Sequence, residues 1–348
     1  MSDGTRGTVL VTSRSFGRGS SDLVGELERA GLRVVHGPTG HAMAALAPLL
    51  QEAKAWICGT APVTAEHLRH AKRLRVLARH GVGVDNVDRA AADALGIPVA
   101  NTPGANSAAV ADLAVGLLLA SLRGVAAGDR DVRAGHWRPR PGRELGSLTL
   151  GIAGFGRIGR SAAARVRGFG CTVLAHDPAV PDAVLREFGA EPASLEGLAA
   201  NCDAVTLHVP GGERVVGPAW LDSARPGLFL VNTARADAVD EEAVAAALRS
   251  GTLAGYAADT LASEHGTHEG HADPSPLLAA DLADRVVVTP HSGAQTVEAI
   301  DRMGAGSVHN VLAVLDGRTP PGLVPAPAHE GPERRAPEPP QTGEGRSV

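Results

Sequence analysis

Lysine is nearly absent from this chain of 348 residues, occurring only at Lys54 and Lys72. Arginine supplies the rest of the basic charge, a bias of GC-rich coding that says nothing about function. A strong charge of one sign is also lacking. The net charge of −5 gives no reason to expect nucleic acid or an anionic membrane as a partner. Long apolar runs are missing too, and none approaches the roughly 20 residues that cross a bilayer. The stretch Ala108–Leu122 comes closest, but it is too short and holds Asp112. Met1 to Gly7 is polar and the first apolar run is only Val9 to Val11, so no signal peptide is expected. Cysteine is scarce: Cys58, Cys171 and Cys202 lie in or beside strand-like segments, at no metal-ligand spacing. They read as small buried hydrophobes in a reducing cytoplasm, and no metal is expected.

Hydrophobic residues at 44% and charged residues at 20% are ordinary for a soluble globular protein. The length allows two domains, each with its own core. Strand-like runs at Thr8–Thr12, Leu32–Val35, Ala55–Cys58 and Arg75–Arg79 alternate with helical periodicity at Asp22–Ala30, Met43–Ala53 and Ala65–Lys72. This alternation predicts a parallel sheet wrapped by helices. A second series of strands follows at Leu148–Ala153, Thr172–Ala175, Ala204–His208, Leu228–Asn232, Ala254–Ala258 and Val286–Thr289. Between the two series stands a helix, Ala108–Arg123, after the turn signal Thr102-Pro103-Gly104. Thr296–Leu315 reads as a long helix that returns to the first domain. From Thr319 onward eight prolines fall among 30 residues with almost nothing apolar, which predicts a disordered tail.

The chemistry begins where the strand Leu148–Ala153 runs into Gly154-Phe155-Gly156-Arg157-Ile158-Gly159 and a helix. In such a fingerprint Gly154 permits the tight turn, Gly156 lets the backbone approach a pyrophosphate, and Gly159 lets helix and strand pack closely. The amides of Arg157 and Ile158 then face the phosphate charge. A glycine turn alone is weak support, but here the next strand leads to Asp177, at the spacing where a carboxylate binds a ribose 2′-hydroxyl. The same carboxylate repels a 2′-phosphate, so NAD is expected rather than NADP.

Several motifs then occur in order. They are Arg79-His80-Gly81-Val82-Gly83-Val84-Asp85-Asn86-Val87-Asp88, Asn101-Thr102-Pro103-Gly104-Ala105-Asn106, the glycine fingerprint, His208-Val209-Pro210, Asn232-Thr233-Ala234-Arg235, Asp259 with Glu264, and Thr289-Pro290-His291. With them the sequence resembles the D-isomer-specific 2-hydroxyacid dehydrogenases over about residues 50–318. The resemblance implies an α/β protein in which a Rossmann NAD-binding domain, residues 104–294, is inserted into a flavodoxin-like α/β substrate domain, residues 1–103 and 295–318. Residues 319–348 would form the tail, and the active site would lie in the cleft. It also implies Arg235 as the substrate-binding arginine, Glu264 as its partner carboxylate and His291 as the acid/base. The turn of Gly81, Val82 and Gly83 would bind the substrate carboxylate through its amides. Arg79 would meet the far end of the substrate. His208, Val209, Pro210, Thr233 and Asp259 would line the cofactor.

The chemistry agrees with those roles. Reducing a 2-oxo acid needs a proton for the carbonyl oxygen, and a histidine suits that step near neutral pH. A neighbouring carboxylate favours the imidazolium, and an arginine fork suits a carboxylate. Some positions depart from the family pattern: Ala236 stands where a glycine usually follows the arginine, His265 where a proline follows the glutamate, and Asp112 where a glutamate is usual. The stretch from Glu264 to His291 is long and holds His265, His268 and His271 near Glu269 and Asp273, which read as a solvated loop rather than a metal site. An arginine that phosphoglycerate dehydrogenases carry after the third strand is missing, since Cys58-Gly59-Thr60 stands there. A small 2-hydroxy or 2-oxo acid, compatible with a distal anionic group, is therefore the expected substrate. The resemblance, together with the apolar helix Ala108–Leu122, also implies a homodimer joined through the NAD domain. The alternative readings are a non-catalytic NAD-sensing scaffold of the same fold, against which the retained Arg235, Glu264 and His291 argue, and a formate- or phosphite-type dehydrogenase on the same scaffold.

Overall fold

Short apolar runs bounded by turn residues form strands when helices bury both of their faces. The computed structural model describes residues 5–264 and 274–327. Its first sheet contains β1 (Gly7–Val11), β2 (Leu32–His36), β3 (Ala53–Cys58), β4 (Val76–Arg79) and β5 (Val99–Ala100). All pairings are parallel and the order is β2-β1-β3-β4-β5, the flavodoxin-like arrangement. Side-chain alternation assigns the faces. Leu10, Trp56 and Leu77 meet Leu46, Leu50 and Leu68 of the flanking helices. Val9, Val11, Ile57 and Val76 meet Leu23 and Leu27, together with Val308 and Val311 from the helix Val297–Leu315. Each fully buried leucine or isoleucine of these faces contributes about 1.5–3 kcal/mol.

The second sheet holds β6 (Thr149–Ala153), β7 (Thr172–His176), β8 (Glu191–Pro192), β9 (Ala204–Leu207), β10 (Leu228–Asn232), β11 (Leu253–Ala258) and β12 (Val286–Val288). Its order, β12-β11-β10-β9-β6-β7-β8, is the Rossmann order with one further parallel strand at the edge. The helix Ser107–Leu122 covers one face, where Leu117, Leu118 and Leu122 pack on Leu150, Ile152 and Val231. Leu198, Val244 and Leu248 cover Val205, Leu230 and Tyr256 on the other. Asp22, Asp88, Ser194, Asp240 and Thr296 cap helices by accepting an amide N–H three residues on, at about 1 kcal/mol each. No single helix among the described residues is long and apolar enough to cross a membrane.

One expectation needs correction. Residues 319–327 are ordered, although their composition predicts disorder. Asn101 N–H donates to the Gly322 carbonyl at 2.8 Å, Val324 N–H donates to the Val99 carbonyl at 2.8 Å, and Leu323 bridges Ala100 in antiparallel fashion. Backbone pairing along the edge of β5 needs no apolar side chain, so composition does not register it. Residues 328–348 lie outside the described residues.

In a parallel sheet every strand ends on the same edge, so the loops that follow the strands collect there. The carboxyl edges of the two sheets open on one cavity of about 820 Å³, lined from both sides.

Candidate active site

The glycine turn fits a dinucleotide on three separate observations. Gly154 sits at φ +89°, and a Cβ there would fall 2.6 Å from the His208 carbonyl carbon, so the turn presses on the end of β9. A Cβ at Gly159 would meet the Gly154 oxygen at 2.1 Å, which only a bare backbone avoids. At Gly156 a Cβ meets nothing within 4 Å, leaving open space above the turn. Gly156 is also the N-cap of the helix Arg157–Val166 and offers no side-chain cap, so that terminus keeps amide donors for an anion. Asp177 follows β7, where its carboxylate accepts from Phe155 N–H at 2.7 Å and Ala179 N–H at 2.9 Å. It therefore stands beside the turn with acceptor capacity left for a hydroxyl.

Three adjacent strands deliver the other groups. β10 leads to Thr233 and Arg235, β11 to Asp259 and Glu264, and β12 to Thr289 and His291. Arg235 Nη1 donates to the Ala234 carbonyl at 3.0 Å, while Nε and Nη2 donate to Asp85 Oδ1 at 3.2 and 3.1 Å. Ala236 opens the 3₁₀ turn Ala236–Ala238 without a positive φ, so the loss of the usual glycine leaves the Arg235 loop able to face the cavity. His291 adopts φ +52°, a left-handed conformation that strains a non-glycine residue. Asp259 holds it there. The Asp259 carbonyl accepts from His291 N–H at 3.0 Å, and its carboxylate accepts from Ser292 N–H at 2.7 Å, Gly293 N–H at 2.8 Å and the Thr289 hydroxyl. Glu264 ends the 3₁₀ turn Ala262–Glu264, and its side chain lies outside what is described. The histidines at 265, 268 and 271 also fall outside the described residues.

The first sheet supplies the facing wall. Gly83 lies so close to Arg235 that a Cβ would fall 1.8 Å from Nη2. Burial raises the Asp85 carboxyl, but the hydrogen bond and charge of Arg235 outweigh it and hold the group below the usual carboxylate range. Arg79 is buried, and Nη1 donates to the His80 carbonyl behind the glycine turn. Burial lowers its pKa and Arg235 adds to the effect, while Cys58 and Asp85 oppose it. His208 contacts Thr206 Oγ1 at 3.2 Å and Thr233 Oγ1 at 3.4 Å, and burial pushes it down to about 4, so it is neutral.

Of the residues singled out from sequence, Arg79, Val82, Gly83, Ile158, His208, Val209, Pro210, Thr233, Arg235, Asp259 and His291 share the cavity wall. Gly154, Gly156, Arg157, Gly159 and Asp177 form the adjoining turn rather than the wall. Sequence reasoning missed Asp85 as the partner of Arg235, although it stands within the first motif. It also missed Arg14, Arg89 and Asn106, which line the cavity and were given no role from sequence.

Residues 115–293 match the model of the D-isomer specific 2-hydroxyacid dehydrogenase NAD-binding domain. D-3-phosphoglycerate dehydrogenase from Mycobacterium leprae is 39% identical over 299 residues, which is 84% of this chain and 54% of that protein. The chain thus spans about half the length of the curated phosphoglycerate dehydrogenases it matches. Hydroxypyruvate reductase from Thermotoga maritima is 37% identical over 258 residues, covering 73% of this chain and 81% of that one. A crystal structure from Thermus thermophilus superposes with a TM-score of 0.78 at 35% identity, covering 91% of this chain and 99% of that one. With the glycine turn, the three-strand constellation and these matches together, the chain belongs to the D-isomer specific 2-hydroxyacid dehydrogenase family.

Proposed function

We propose that the protein is an NAD-dependent oxidoreductase interconverting a small D-2-hydroxy acid and its 2-oxo acid. The observation that carries the reading is the convergence of Arg235 and His291, from loops two strands apart, with the Gly83 turn of the other sheet on one cavity. Bound NAD supplies or accepts the hydride at the substrate carbon. Gly156, the amides of Arg157 and Ile158, and Asp177 would hold it, with His208, Val209, Pro210, Thr233 and Asp259 lining its path. Arg235 binds the substrate carboxylate through its fork, together with the amides of Val82 and Gly83. His291 gives the proton to the carbonyl oxygen during reduction and takes it back during oxidation. Glu264 is the partner carboxylate of His291 in this reading. Asp177 favours NAD over NADP by repelling a 2′-phosphate.

The same proposal has residues 1–103 and 295–318 as the substrate domain around residues 104–294, and a cytoplasmic homodimer. Val125, Val132 and Trp137, at 58%, 45% and 83% exposure, lie just beyond the helix Ser107–Leu122 and support a partner there. A panel of 2-oxo acids with NADH, followed at 340 nm, tests the activity. Oxidation of NADH by at least one of them is expected. Tight NADH binding without turnover of any would favour a sensing scaffold instead. Turnover of formate or phosphite alone would move the reaction class.

A further inference from the structure

We propose that Arg14 selects the far end of the substrate, and that the preferred substrate is a 2-oxo acid with a second anionic group, carboxylate or phosphate, at that end. The inference rests on the cavity being a 2-hydroxy-acid site. Arg14 lies in the loop after β1, and Gly59 and Thr60 lie in the loop after β3. Between these two strands the order of the first sheet reverses. A ligand of an open parallel sheet sits outside the carboxyl ends of the strands at such a reversal.

Charge on the wall points the same way. Among the described residues Arg14, Arg79, Arg89 and Arg235 face the cavity against Asp85 and Asp259. Asp85 is engaged by Arg235, and Asp259 by the amides of the His291 loop. One substrate carboxylate at Arg235 therefore leaves a cationic surplus. Arg79 is poorly disposed to use it, because its guanidinium is buried and turned to the His80 carbonyl. Arg14 is exposed, with no hydrogen bond or ion pair among the described residues.

The base of its loop is fixed. Trp56 Nε1–H donates to Thr12 Oγ1 at 2.9 Å. That hydroxyl donates to His41 Nε2 at 2.8 Å, and His41 Nδ1–H donates to the Pro62 carbonyl at 2.8 Å. The chain of bonds assigns the neutral Nδ1–H form to His41, since Nδ1 faces an acceptor. Ser13 and Ser15, on either side of Arg14, are buried. A loop held this way loses little further freedom when its side chain binds.

Steady-state reduction with NADH is compared for pyruvate, oxaloacetate and 3-phosphohydroxypyruvate. A charge-assisted hydrogen bond of this kind is worth about ten- to hundredfold in affinity. Arg14→Gln should lower kcat/KM for the favoured dianion by that factor, through KM, and leave pyruvate within about threefold. Arg14→Lys should restore part of the loss, and Arg89→Gln should leave the preference in place. The dianion that prevails tells carboxylate from phosphate. An equal loss on all substrates, a preference for pyruvate in the unaltered protein, or selectivity that depends on Arg89 and not Arg14 would overturn the assignment. Should no 2-oxo acid be reduced, the proposed activity fails by itself. Calorimetry on the NADH-loaded protein then decides Arg14: D-malate should bind more tightly than D-lactate, and Arg14→Gln should erase the difference. Equal binding of the two acids would remove Arg14 from the site.

Discussion

Arg235 reaches from the loop after β10 to Asp85, on the wall of the other sheet, and donates from both Nε and Nη2 to the same carboxylate oxygen. Gly83 allows the approach, because a side chain there would collide with the guanidinium. A substrate carboxylate at Arg235 shares that guanidinium with Asp85. Asp85→Asn should therefore tighten binding of the carboxylate inhibitor oxamate by about three- to tenfold, the scale of a partly exposed ion pair. It should also lower kcat, because Arg235 loses its alignment. The Tm should hardly move. Inhibition constants with saturating NADH are the check, and unchanged values would mean that the pair plays no part in binding.

Two glycines of one turn should fail in different ways. Gly156→Ala meets no atom, so thermal melting without cofactor should match that of the unaltered protein while the Kd for NADH rises about tenfold or more. Gly154→Ala has a strained φ of +89° and a clash with the His208 backbone, so the fold itself should lose roughly 1–3 kcal/mol. Asp177→Ala should narrow the preference for NADH over NADPH. Equal affinity for the two cofactors in the unaltered protein would count against Asp177 as the discriminating group.

His291→Ala should lower kcat by about 10²- to 10⁴-fold with NADH binding retained, the usual share of general acid catalysis. Asp259 acts through it as a positioning residue. In Asp259→Asn, an amide donor faces an N–H donor of Ser292 or Gly293, and the loop that holds His291 in its strained conformation loosens. The double variant should then be hardly worse than His291→Ala alone. Additive losses would assign Asp259 a separate role. Glu264→Gln should lower kcat with NADH binding retained, and an unchanged kcat would remove Glu264 from the mechanism.

Acid should unfold the protein earlier than its carboxylates alone would require. Burial pushes His41 and His208 down to about 4 and, with Arg79 beside it, His80 to about 3, from 6.5. The folded chain refuses protons that the unfolded chain accepts. Stability is thus full above about pH 6.5 and falls as the pH drops toward 4. His41, almost wholly buried, accounts for about 3 kcal/mol of that loss. Urea midpoints between pH 7.5 and 4.5 measure the slope. His41→Gln should be weaker at pH 7.5 and flatter below it, and an unchanged slope would refute the account.

Local pattern made much of this legible. Apolar runs located ten of the twelve strands, because a strand buried on both faces must be apolar throughout, whereas β5 and β8 have two residues each and leave no such trace. The glycine fingerprint was legible for a similar reason, since close backbone approach demands the absence of a side chain, which a sequence records. The order of residues 319–327 was not, because it depends on Gly322 fitting against the backbone of Asn101 and on the side chain of Asn310, partners far away in the chain.

The sequence by itself determined the alternation of strand and helix, the cofactor turn and the identity of Arg235 and His291 as candidate chemistry. Only the tertiary structure decided that Asp85 holds Arg235, that Asp259 fixes the loop of His291, and that Arg14 and Arg79 line one cavity, the first exposed and the second buried. Periodicity and motif spacing report what a segment does with its near neighbours. Which loops share a cavity is set by strand order and by which strand ends face each other across it, and strand order brings together residues that are far apart in the chain.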